Sequence, residues 1–172
     1  METIEFRKAH EKDIDDILKV VKKSFIEYAK AINKEDKVEA LKETREDILK
    51  DLKKKHVYIC KVDGDTVGTV RFEILPEGIA YLSRLAVDPD IQNLGIGGLL
   101  LEKVRRECID MDLNAILLFT ASKMRSSVAF YLKNGYYIHN ITKNRSYIRA
   151  LLVNELKPMD EMFDYEAIVA DK

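Results

Sequence analysis

The sequence predicts an α/β domain of the α+β kind, with a central mixed, mostly antiparallel sheet flanked by about four helices. Three observations predict it. Strand-like runs at 57–62, 66–75 and 79–87 are joined by Asp63-Gly64-Asp65 and Pro76-Glu77-Gly78, as in an antiparallel meander. The order strand, helix, strand over 79–120 is what a parallel crossover requires. Apolar residues recur at helical spacing over 14–25 and 96–111, which supplies helices to cover the sheet.

The chain has 172 residues, of which 47% are apolar and 34% charged, values that suit one domain with a substantial core. A net charge of -1 provides no global field for nucleic acid or an anionic membrane, so both are excluded as partners and any polyanion must be bound locally. The N-terminal Met1-Glu2-Thr3-Ile4-Glu5-Phe6 lacks the basic and apolar regions of a signal peptide. No apolar run approaches the roughly 20 residues that span a bilayer, and a cytoplasmic protein is expected. Cys60 and Cys108 lie in apolar segments and read as reduced core thiols. His10, His56 and His139 are far apart, so no metal site is predicted.

In order along the chain, 4–7 is a short strand, and Asp13 can cap a helix carrying Ile14, Ile17, Leu18, Val21 and Phe25. The charged stretch 34–55 has a sparse apolar stripe, Val38, Leu41, Ile48, Leu49 and Leu52, that suggests a second helix. The meander follows, then an amphipathic helix from Ile96 to about Met111. Residues 115–120 form a buried strand. A helix over about 124–133 stops at Asn134-Gly135. Strand-like runs at 136–142 and 145–156 turn at Lys143-Asn144; the second lacks strict alternation, which leaves partial helix open. The domain is expected to occupy 1–157. The acidic tail 158–172 holds Met162, Phe163, Tyr165, Ile168 and Val169, so it can dock on its own domain or on a second copy in a homodimer.

The most informative segment runs from Tyr81 to Gly98. Gly95, Gly97 and Gly98 let backbone approach a ligand at the start of a helix, where unpaired N–H groups and the dipole favour an anion. A phosphate-bearing ligand is the first inference. A Walker loop is excluded because Leu99-Leu100 stands where Lys-Ser or Lys-Thr is needed. A dinucleotide fingerprint is also poor, since Leu100 occupies the third glycine position and no suitable acidic residue follows.

A strand ending Leu85-Ala86-Val87, then Asp88-Pro89, then Gln92-x-x-Gly95-x-Gly97 resembles the signature of the GNAT superfamily of N-acetyltransferases. The resemblance continues in Arg7-Lys8-Ala9 before Asp13-Ile14, and in Phe130-Tyr131-Leu132-Lys133-Asn134-Gly135-Tyr136, over about 4–156. It implies the GNAT fold, acetyl-CoA as cofactor with CoA as product, and acetyl transfer to a primary amine. The acceptor is a small amine, a polyamine, an amino-acid derivative or a protein amino group.

The resemblance implies a cradle for the pyrophosphate in the backbone of Leu94, Gly95, Ile96, Gly97 and Gly98, closed by Gln92 and Asn93, with no basic side chain in the loop. Leu85, Ala86 and Val87 would pair with the pantetheine arm, Ser122 and Ser127 would lie along it, and Val87 N–H would hold the oxyanion. Tyr131 is the expected general acid, since its phenol, with an ordinary pKa of about 10, can give a proton to the departing thiolate. Glu73 is a candidate base, because Ser83-Arg84 occupies the central-strand position where relatives carry a carboxylate. Tyr28, Glu73 and Ser83 are the expected acceptor contacts. The alternative is a catalytically weak CoA-binding regulatory or interaction module.

Overall fold

The computed structural model describes residues 1–91 and 94–172, so the expected roles of Gln92 and Asn93 lie outside the described residues. The chain forms two compact units, Met1–Arg71 with Ser83–Lys103, and Phe72–Leu82 with Val104–Lys172. Among the described residues there are seven strands, β1 (Ile4–Lys8), β2 (His56–Val62), β3 (Asp65–Leu75), β4 (Ile79–Val87), β5 (Ala115–Ala121), β6 (Tyr137–Thr142) and β7 (Arg149–Glu155). The helices are α1 (Ile14–Ile32), α2 (Arg45–Lys54), α3 (Ile96–Asp110), α4 (Arg125–Lys133) and the single turn α5 (Tyr165–Ile168). The strands hydrogen-bond in the order β1-β2-β3-β4-β5-β7-β6. β4 and β5 are parallel, while β1/β2, β5/β7 and β6/β7 are antiparallel, so the sheet is mixed and mostly antiparallel as the sequence predicts.

In the first unit, α1 buries Ile14, Ile17, Val20 and Val21 in a core with Ile48, Val57, Ile59 and Ala86. Its 3.6-residue apolar period produces one buried stripe. The helix stops at Asn33, whose left-handed φ of 54° lets its N–H reach Ala29 and Lys30 carbonyls. Asp13 does not cap this helix with its side chain. Its carboxylate turns back to accept from both Arg7 Nη atoms, at 2.8 and 2.9 Å, and from the His10 N–H at 2.8 Å. The Arg7 guanidinium holds the Asp13 carboxyl down to about 2.

The expected helix over 34–55 is shorter in the structure. Only Arg45–Lys54 is α-helical, preceded by a 3₁₀ turn at Glu39–Lys42. Thr44 restarts the chain with a reciprocal capping box, donating its N–H to Asp47 and accepting from the Asp47 N–H. Glu43 just before it is extended, and Val38, Ala40 and Glu43 are buried. The turn therefore puts residues inward that one continuous helix would spread around its circumference.

In the second unit, Arg149–Glu155 pairs with β5 on one side and β6 on the other and is buried at every position but the last. That explains its lack of alternation: a strand covered on both faces is apolar throughout. The strand begins at Arg149, later than the 145 expected. The acidic tail packs on its own unit. Tyr165 and Val169 are buried with Ile79, Ala115, Leu117, Leu151 and Val153. Asp164 caps α5 by accepting from the Ala167 N–H, and Glu166 lies 2.9 Å from His139 Nε2 and accepts from Asn140. No helix among the described residues is long and apolar enough to cross a membrane.

Candidate active site

The glycine-led start of α3 has the geometry of an anion cradle. Gly95 has φ +66° with open space where a side chain would be, and its carbonyl accepts from Leu99 N–H at 3.0 Å. That is the first helical bond, so the N–H groups of Ile96, Gly97 and Gly98 have no partner within the helix. Each glycine inside a helix costs about 0.5–1 kcal/mol relative to alanine, a loss that close approach of another molecule to bare backbone offsets. Ile96 is buried and anchors the turn, while Gly97 and Gly98 are half-buried.

The lead into this turn is fixed by contacts the sequence did not reveal. Asp88 donates its N–H to Val67 and accepts from the Asp90 N–H through Oδ1. Lys23 of α1 reaches Asp88 at 2.7 Å and Asp90 at 2.6 Å, which draws the Asp88 carboxyl below its ordinary range against the opposing effect of burial. Gly68 of β3 is the floor beneath α3. A methyl group there would meet Leu100 Cδ1 at 2.9 Å and Ile96 Cγ2 at 3.0 Å, with the Ala86 carbonyl at 3.5 Å. Gly68→Ala is therefore expected to lift the first turn of α3, costing about 1–3 kcal/mol as overpacking does. It should weaken binding of acetyl-CoA, the cofactor the resemblance implies, at least tenfold; calorimetric titration checks this, and unchanged affinity would separate Gly68 from that site.

β4 carries an irregularity in the middle of its run. Arg84 has φ 53°, a left-handed value inside a strand, which costs a non-glycine residue about 1–2 kcal/mol. Among the described residues the parallel ladder to β5 comprises Ile79↔Ala115, Ala80↔Ile116 and Tyr81↔Leu117. Leu85, Ala86 and Val87 follow the irregularity, with Ala86 buried and Leu85 and Val87 half-buried. An extended segment beyond its ladder can offer backbone groups to an amide-rich ligand.

Beside Arg84 is a buried ionic cluster that sequence reasoning missed. Arg71 of β3 is fully buried and donates Nη1 to Glu43 Oε1 at 2.5 Å and Nη2 to Glu43 Oε2 at 2.9 Å. Its Nη1 also reaches Asp51 at 2.8 Å, and Lys55 lies 3.2 Å from the same carboxylate. Arg84 Nε stands 3.4 Å from Glu43 Oε1. The one available signal was an arginine interrupting the apolar run Val70-Arg71-Phe72.

The other expected residues are placed as follows. Tyr131 of α4 is buried, its ring edge-on to Phe130 at 5.2 Å and to Tyr136 at 5.6 Å. The Ser127 hydroxyl lies 3.0 Å from that of Thr120, and Ser122 donates its backbone N–H to Ile148. Glu73 is held by Lys172 at 2.7 Å, so this carboxylate is already neutralised. Tyr28 is half-buried on α1, edge-on to Phe25 at 5.6 Å, and Ser83 is half-buried on β4. Burial pushes the Cys60 thiol up to about 11 and the Cys108 thiol up to about 12.

A mixed sheet with a glycine-led helix after an irregular strand defines an α/β class of fold, and comparison with known proteins narrows it. The profile of the Acetyltransferase (GNAT) family matches residues 23–136, and the chain belongs to this family. Among curated proteins no sequence matches. Solved structures share the fold. The PaiA N-acetyltransferase from Thermoplasma acidophilum, solved with coenzyme A, is 20% identical with TM-score 0.80, covering 89% of this chain and 99% of that one. A ribosomal-protein alanine N-acetyltransferase from Escherichia coli is 16% identical with TM-score 0.73, over 95% and 99%. A spermidine N-acetyltransferase SpeG chimera from Vibrio cholerae is 14% identical with TM-score 0.69, over 88% and 95%.

Proposed function

We propose that this protein transfers the acetyl group of acetyl-CoA to a primary amine by direct attack. The observation that carries the reading is the start of α3, where the N–H groups of Ile96, Gly97 and Gly98 have no partner within a glycine-led helix, in a chain of the GNAT family. Bound acetyl-CoA supplies a thioester, an acyl group activated for transfer. Leu94 to Gly98 hold its pyrophosphate with backbone and dipole alone. Leu85 to Val87 pair with the amide-bearing arm, and Val87 N–H donates to the thioester oxygen as negative charge develops there. The amine nitrogen bonds to the carbonyl carbon, the carbon–sulfur bond breaks, and Tyr131 gives its proton to the departing sulfur.

The proton lost by the amine goes to water or to Glu73, the latter once Lys172 releases it, and water returns a proton to the Tyr131 phenolate. Neither cysteine carries the acetyl group, because burial keeps both thiols protonated at neutral pH. Two buried, unpaired thiols also support a reducing, cytoplasmic setting. The test is release of free CoA thiol when purified protein meets acetyl-CoA and primary amines of several classes. Release that depends on an amine is the expected result. Tight acetyl-CoA binding with no release for any amine would instead favour a CoA-binding module, to which Glu73 held by Lys172 already lends support.

A further inference from the structure

We propose that Arg84 selects the acceptor, and that the acceptor is a small amine bearing a carboxylate, such as an amino acid. The inference rests on the acetyltransferase reading and deepens it. It starts from a residue that is costly where it stands: a non-glycine side chain at φ 53° inside a strand is maintained against about 1–2 kcal/mol of backbone strain. Glycine would relieve that strain, so the side chain must have a use.

Its use is not to neutralise Glu43. Arg71 already fills that carboxylate with two hydrogen bonds, one to each oxygen, and Arg71 is also shared with Asp51. Arg84 adds only an Nε contact at 3.4 Å, too long and poorly aligned to be a good hydrogen bond. Asp47, which feels the Arg84 charge, spends its carboxylate on the Thr44 N–H and hydroxyl. Among the described residues Arg84 thus has no carboxylate of its own at good hydrogen-bond distance. Its side chain is 29% exposed, and among the described residues no hydrogen bond or ion pair found for it uses the two terminal amino groups.

A guanidinium with its fork open beside a buried ionic cluster is suited to a planar oxyanion. One open guanidinium fork matches the two oxygens of a carboxylate, whereas a phosphate dianion calls for more than one cation. Arg84 lies three residues before Val87, about 10 Å of strand at most. That is within the reach of an arginine side chain added to a molecule whose amine and carboxylate are a few bonds apart.

The test pairs glycine and β-alanine with their amides, alongside O-phosphoethanolamine and spermidine, in the CoA-release assay with wild type, Arg84→Gln and Arg84→Gly. The free acids are expected to exceed their amides at least tenfold in kcat/KM, with the preference falling to within about twofold in both variants as a rise in KM. Arg84→Gly relieves the strained backbone, so it should keep or raise the thermal midpoint while losing the preference, which separates selection from folding. Equal use of acids and amides, a preference for spermidine or O-phosphoethanolamine, or a preference that survives Arg84→Gln would overturn the proposal while the acetyltransferase reading stands. If no amine releases thiol, that reading fails, and calorimetric binding of N-acetyl-β-alanine to the CoA-bound protein decides the carboxylate site separately. No binding by wild type, or equal binding by Arg84→Gln, rejects it.

Discussion

Tyr131→Phe is expected to lower kcat by about 10²- to 10³-fold, the range for losing a positioned general acid, with acetyl-CoA affinity within about twofold of wild type. The substitution deletes one oxygen from a buried ring wedged edge-on between Phe130 and Tyr136, so shape and packing are retained. Without the phenol the sulfur must leave as a bare thiolate, and the penalty should shrink for an acetyl thioester whose thiol has a lower pKa. Steady-state kinetics with such a donor checks both parts. A kcat within threefold of wild type would remove Tyr131 from the chemistry and leave it a packing residue.

Glu43→Ala should destabilise the protein by about 3–5 kcal/mol, because it strands the fully buried Arg71 guanidinium with Asp51 as its remaining strong partner. Against the 5–15 kcal/mol that typical domains possess, this is a large fraction, and a fall in Tm of about 10 °C is expected. Replacing both partners, Arg71→Met with Glu43→Leu, should recover most of the loss, since a buried pair and a well-packed apolar pair differ much less than either does from an orphaned charge. Urea unfolding of the single and double variants measures the coupling. A loss below about 1 kcal/mol for Glu43→Ala would show that water reaches the site and the pair is not truly buried.

What could be read in advance follows from how local each cause is. The meander was legible because Asp63-Gly64 and Pro76-Glu77-Gly78 announce turns between alternating runs, and the crossover because α3 has a clear apolar period. The glycine-led start of α3 was legible because Gly95, Gly97 and Gly98 stand where an apolar helical period begins. Residues 34–44 were not, since their fold depends on Val38, Ala40 and Glu43 turning inward toward partners distant in sequence. Glu43 looked like one more solvated charge; only Arg71, 28 residues away, makes it a core residue. Lys23 and Gly68 were missed for the same reason, because their importance lies in Asp88 and in Ile96 and Leu100 respectively. Tail docking was open in the sequence and depended on which apolar surface lay within reach, which composition alone could not say.

The bonds from Arg71 to Glu43 and Asp51 bear on how an acceptor gains entry. Mobile covers over binding sites come from the least stable parts of a fold, where opening breaks little. Here the strip between α1 and α2 is pinned to β3 by a buried arginine, and swinging it outward would strand that charge. It is therefore a fixed wall. An acceptor bound along it, as proposed for Arg84, should be recognised with lock-and-key kinetics, with association rates set by encounter and discrimination expressed in how quickly a poor acceptor leaves.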